Sequence, residues 1–179
     1  MRRPISPAGT KLLGVVAVAS VCAVVTSCSV SFGATPTVRA GDLQNDIKDR
    51  LTKAGETPQS VTCHGDLEGV VDKTTRCEVV LSDTNAFEPI VKVTGVDGGT
   101  VSYDMTPALS QQQLERAVEA MVERKSGSQV DSVTCAGGLE GIVGNIAHCT
   151  VDSGGESMAA VVEVSKVSGL MMNFHVNRA

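Results

Sequence analysis

Tryptophan is absent from these 179 residues, tyrosine occurs once and phenylalanine three times, so aromatic rings make up only 2% of the chain. A small unit with so few rings buries little surface and needs a covalent staple to be secure. An excess of basic residues is also missing, with 15 Lys and Arg against 20 Asp and Glu and a formal charge of −5. That balance excludes nucleic-acid binding by phosphate neutralisation. Histidine occurs three times, and the chain contains neither Gly-x-Ser-x-Gly nor His-Glu-x-x-His, so no hydrolase signature is present. With 42% hydrophobic and 20% charged residues, the composition is still that of a folded globular protein.

Long apolar runs are scarce as well. Residues 12–25 form a run of 14 where a spanning helix needs ~20, and Arg2, Arg3 and Lys11 precede it. This pattern reads as an export signal for general secretion. It ends in Val25-Thr26-Ser27-Cys28, which resembles the lipobox of bacterial lipoproteins, where the Cys thiol receives a diacylglyceryl group and a peptidase cuts just before it. Cysteine parity agrees with that reading. Of the six Cys, cleavage discards Cys22 and lipidation takes Cys28, leaving Cys63, Cys77, Cys135 and Cys149 to pair. Residues 1–27 are thus expected to be removed, and 28–41, small and polar with Pro36, to be the lipidated Cys and a flexible tether. The expected location is the outer face of the cell membrane. Losing three basic residues makes the mature chain more acidic, so anchoring falls to acyl chains on Cys28 and not to charge.

Comparison of the chain with itself organises the remainder. Ser60-Val61-Thr62-Cys63 recurs as Ser132-Val133-Thr134-Cys135, and ten of the 18 positions up to Cys77 are identical to their counterparts up to Cys149. The flanks match at a displacement of 71. Upstream, Leu43, Ile47 and Leu51 fall on Leu114, Val118 and Val122, spacings that place three apolar side chains on one helix face. Ser110 and Gln113 have capping-box spacing, and basic residues precede Gly55 and Gly127 as at helix ends. Downstream, residues 90–93 and 101–105 alternate with period two around Asp97-Gly98-Gly99, and Val162, Val164, Met172, Phe174 and Val176 repeat the pattern around Ser168-Gly169. Tyr103 and Phe174 coincide and read as core residues.

These patterns predict an α+β fold of two tandem modules, 42–107 and 108–179, each a helix on a small antiparallel sheet of about four strands. Four cysteines allow three pairings, and the repeat selects Cys63 with Cys77 and Cys135 with Cys149. Each bridge closes a loop of about 15 residues, for which chain entropy gives at most about 3 kcal/mol. The short connection between the modules favours contact between them.

Val-x-Cys, a Leu four residues on, a second Cys and then Val91-Lys92-Val93-Thr94-Gly95-Val96-Asp97-Gly98 resemble the domain of unknown function 4333 family. The resemblance covers both repeats and is weaker after Cys149, while His64 and Ala136 replace the Pro that commonly follows the first Cys. It implies fold, disulfides and location in the envelope of actinobacteria, and it brings no catalytic residue.

Metal binding is not expected. His64 and His148 adjoin cysteines, but thirteen residues separate the Cys of each pair where zinc sites use two to four, and exported thiols pair. His175 falls on the outward side of the last strand. Glu68 and Glu140 are the one ionisable pair kept in both copies and are the candidate partner contacts, although solvated turn positions explain them as well. Residues 170–172, Leu-Met-Met, suit either an adaptable apolar surface or a packed hairpin. The functional expectation is a lipid-anchored, non-enzymatic envelope protein without cofactor, binding or scaffolding an envelope partner. The alternative is a carrier holding a lipid or acyl chain between helix and sheet or between repeats, and an enzyme assembled from residues distant in sequence is a third class.

Overall fold

Leu43, Ile47 and Leu51 form the fully buried face of helix α1, Ala40–Lys53, in the computed structural model, which describes residues 35–179. Helix α2, Gln111–Ser126, buries Leu114 and Val118 in the same way. The two helices start by different means. For α2, Ser110 Oγ accepts from the Gln113 amide at 3.3 Å while Gln113 Oε1 accepts from the Ser110 amide at 3.0 Å, the capping box expected from the spacing. Arg39, at the corresponding place before α1, makes no side-chain cap, and Asp66 supplies one from a later loop by accepting from the Ala40 amide at 2.8 Å. A carboxylate there also meets the positive end of the helix dipole. Gly55 and Gly127 close the two helices with φ of 89° and 69°, the left-handed region that glycine enters without steric cost.

The first repeat runs β1 (Thr37–Val38), α1, β2 (Ser60–Cys63), β3 (Leu67–Glu68), β4 (Thr74–Ser82), β5 (Asn85–Phe87), β6 (Ile90–Asp97) and β7 (Thr100–Thr106). The second runs β8 (Ala108–Leu109), α2, β9 (Ser132–Cys135), β10 (Leu139–Glu140), β11 (Ile146–Ser153), β12 (Glu156–Ser168) and β13 (Met171–Arg178). Among the described residues the larger sheets are antiparallel, ordered β2-β4-β6-β7 with β5 beside β4, and β9-β11-β12-β13. Alternation sends Val91 and Val93 of β6, and Val162 and Val164 of β12, fully into the core. Cys63–Cys77 joins β2 to β4 and Cys135–Cys149 joins β9 to β11, the pairing that the repeat predicts. The fold is therefore α+β, in two tandem modules each carrying one disulfide.

Two expectations need correction. The tether does not extend to residue 41, because Thr37–Val38 pairs with Leu67–Glu68 and α1 begins at Ala40. The unpaired backbone inside each disulfide loop needs a partner, and a two-residue strand provides it, too short to leave any periodicity in the sequence. The Gly69 amide donates to Pro36 O at 2.7 Å, and 71 residues later Pro107 O accepts from Gly141 at the same distance. A Cβ on either glycine would lie 2.6 Å from the facing proline, so both copies keep glycine there. The repeats accordingly open near Pro36 and Pro107. The second correction concerns Tyr103 and Phe174, which lie half-buried at the edge of the core, Tyr103 with its hydroxyl donating to Asp46 at 3.0 Å. A phenol keeps its polar end where it can find a partner.

The modules share one core. Strand β12 is continuous, whereas the matching stretch of the first repeat breaks at Pro89, which has no amide to give to a ladder. At that break the Glu88 amide donates to Ala108 O at 2.7 Å, tying the first sheet to the first strand of the second repeat. Phe87, Leu109 and Leu170 are buried in the same cluster, and the described residues form a single compact unit.

Candidate functional site

The two candidate glutamates occupy equivalent but separate places. Glu68 faces Thr37 across the β1–β3 pair and Glu140 faces Ala108 across β8–β10, so each belongs to its own repeat. Both are exposed, and Lys73 Nζ lies 3.6 Å from Glu68. The loop after each glutamate presents apolar residues to solvent, Val71 at 55% and Val143 at 63% exposure. In both loops a backbone hydrogen bond closes a tight turn, Lys73 to Val70 and Asn145 to Ile142. Its third residue has positive φ: Asp72 at 70° in one copy and Gly144 at 87° in the other.

His64 and His148 are exposed and lie in different repeats, and His175 is exposed on β13 as its alternation predicts. The four paired cysteines have no thiolate to offer a metal. Among the described residues no three His, Cys, Asp or Glu side chains are grouped to hold one. Cys28 and the signal lie outside the described residues.

Shifted acid–base groups serve packing. Asp46 holds α1 to β7 by accepting from both Tyr103 and Arg50, the latter at 3.1 Å. Burial, then the hydrogen bond to Asp46, raises the Tyr103 phenol above its ordinary value, and the same carboxylate raises Arg50. Glu115 fastens α2 to β9, accepting from the Cys135 amide at 2.9 Å and from Gln111 at 3.0 Å, bonds that hold its carboxyl below the usual range. Asp152 is lowered by Ser157 and Ser132.

Differences between the copies locate a surface that their identities do not. In the second repeat, Ala117, Met121 and Phe174 stand where the first has Asp46, Arg50 and Tyr103. A polar clasp is replaced by apolar side chains. Beside them, a groove of about 450 Å³ runs between the C-terminal half of α2 and the strands β12 and β13, floored by Met121, Val122, Met158 and Val176. Lys125 and Arg178 stand on its rim. Identity-based reading of the repeat overlooked these residues, whereas the exchange of Asp46 and Arg50 for Ala117 and Met121 was a visible signal. A smaller cavity of about 120 Å³, lined by Phe87, Leu109 and Phe174, lies at the junction of the repeats.

Among the described residues, two helices, two disulfides and a duplicated strand order define a tandem stapled module. The family model described as domain of unknown function DUF4333 matches twice, over residues 23–98 and 100–169, and the chain belongs to that family. No curated protein and no solved structure matches it.

Proposed function

We propose that the protein is a lipid-anchored envelope lipoprotein whose folded unit binds or scaffolds a partner near the membrane, without a catalytic step. The observation that carries the binding role is the exposed apolar groove on the second repeat, since a water-soluble surface keeps such a feature at a cost that a partner or ligand offsets. The lipobox-like Val25-Thr26-Ser27-Cys28 supports the anchor. With only seven residues between Cys28 and the entry to the fold at Pro36, that entry stays within about 30 Å of the bilayer and a partner meets the protein near the membrane.

Intact-mass analysis of protein taken from its native membrane tests the anchor, and crosslinking in the envelope tests the binding. The expected mass is that of residue 28 onward plus acyl chains, gaining four hydrogens when the two disulfides are reduced. Crosslinking is expected to join a defined partner to the second repeat. An unacylated Cys28 overturns the anchor, and a crosslinked envelope containing nothing beyond background overturns the binding role.

A second reading, carriage of an acyl chain, is favoured by the groove's size, within the roughly 300–1,000 Å³ of small-molecule sites, and by the cations Lys125 and Arg178 on its rim. Lipid extracted stoichiometrically with the purified protein would support it.

A further inference from the structure

The groove between α2 and β12–β13 has a counterpart in the first repeat, and that counterpart is narrower, about 270 Å³ against about 450 Å³. There Arg50, Leu51, Ala54 and Met105 occupy the places of Met121, Val122, Lys125 and Val176, and the space beside them is walled on its other side by Gly169, Leu170 and Met171, the tip of the β12–β13 hairpin. Leu170 in that wall is 6% exposed, and Leu51, which lines the same space, is 1% exposed. Val122, the counterpart of Leu51, is only half-buried, because no described segment enters its groove. One surface, present twice in the fold, is thus seen once with a hairpin tip against it and once without.

We propose that the open groove of the second repeat receives the apolar tip of a β-hairpin from a partner protein, in the way that the first repeat receives Leu170. The partner's tip carries a large aliphatic residue just after the turn glycine. A second copy of this chain is a poor source: its own Leu170 is already buried, and its other hairpin tip has Gly99 where Leu170 would stand. The rim adds a second requirement. In the first repeat Arg50 is neutralised by Asp46, whereas Lys125 and Arg178 have no carboxylate within 4.0 Å among the described residues. A tip flanked by a carboxylate therefore fits the open groove better than Leu170's own hairpin does, and binding weakens with salt.

This proposal rests on the reading of the protein as a binding module and names the partner's chemistry. The test uses the full chain in lipid nanodiscs and a cyclised hairpin peptide with the sequence of residues 164–174, carrying a photo-reactive leucine at the Leu170 position. Binding is expected in the high-micromolar to millimolar range, as for one or two aliphatic anchors, with crosslinks on Met121, Val122 or Met158. Leu170→Ala in the peptide is expected to weaken binding at least ~tenfold. Val122→Asp in the protein is expected to abolish it, and an acidic residue beside the peptide's leucine to tighten it. Lys125→Glu, on an exposed rim residue that leaves the core intact, reverses that last preference. Crosslinks confined to other surfaces, or binding indifferent to both protein variants, overturns the proposal. So does a groove that takes palmitate and refuses the peptide at millimolar concentration, which would make the occupant an acyl chain. The assay does not depend on acylation of Cys28. Failure of the peptide leaves the anchor reading standing, and an unacylated Cys28 leaves the peptide result standing.

Discussion

The two repeats solve the same local problems with different residues, and the differences account for the asymmetry of the whole molecule. Helix α1 is capped from outside by Asp66, whereas α2 caps itself through Ser110 and Gln113, and Gly138 takes the place of Asp66. There the loop backbone closes on Leu109, where a Cβ would clash with its carbonyl oxygen. The first repeat breaks its long strand at Pro89 and lends an amide to the second, and the second lends Leu170 to the first. Each copy is incomplete in a way that the other repairs. The exchange is not reciprocal at the groove beside the helix C-terminus, which leaves one apolar surface exposed. Duplication thus explains the fold, and divergence between the duplicates explains where the wider groove lies.

The strongest way to break the comparison is to remove the staples one at a time. Cys63→Ala with Cys77→Ala, and separately Cys135→Ala with Cys149→Ala, should each cost about 3 kcal/mol, because each bridge closes a loop of the same length. Since the repeats share a core, either pair is expected to lower the midpoint of a single urea transition. Two separate transitions, with the unstapled repeat melting first, would show that the modules unfold independently and that the shared core contributes little.

Much of this architecture was legible in the sequence, for reasons that also explain the gaps. Helix faces such as Leu43-Ile47-Leu51, and hairpins such as β6–β7 around Gly98-Gly99, repeat a period over enough residues to be read locally. Strands β1, β3, β8 and β10 are two residues long and carry no period, so their pairing, and with it the true start of each repeat, is visible only in three dimensions. The disulfides followed from the repeat. The groove did not, because matching the copies draws the eye to what they share, and Glu68 and Glu140, which they do share, are exposed residues in separate small sheets. What distinguishes Met121 and Val122 is the loss of the polar clasp made by Asp46 and Arg50, together with the absence of a covering hairpin tip.

The next largest effect concerns that tip. Leu170→Ala removes a buried side chain from the core that the repeats share and should destabilise the protein by about 2–3 kcal/mol, the lower part of the range for a buried leucine because the site lies near the surface and can partly relax. The opposite change in the other hairpin, Gly99→Leu, is expected to bring no such gain, since Gly99 has a φ of 89° and faces open space. Thermal melts of both variants compare the two tips directly. Equal and small effects would mean that Leu170 does not hold the repeats together.

The smallest contrast lies in the turns of the disulfide loops. Asp72 sits at a φ of 70° where its counterpart is Gly144, and a side chain in the left-handed region costs about 1 kcal/mol, somewhat less for Asp than for bulkier residues. Asp72 also pairs with Lys92 at 2.7 Å, but both groups are exposed and solvent screens the attraction. The backbone term should win, so Asp72→Gly is expected to raise the thermal midpoint slightly, and Gly144→Asp, whose neighbours include Glu163 in place of Lys92, to lower it by more. Repeating the melts in high salt separates the two contributions. If Asp72→Gly lowers the midpoint at low salt and the loss vanishes at high salt, then the ion pair, and not the backbone, decides the conformation of that turn, and the first loop is held electrostatically where the second is held by glycine.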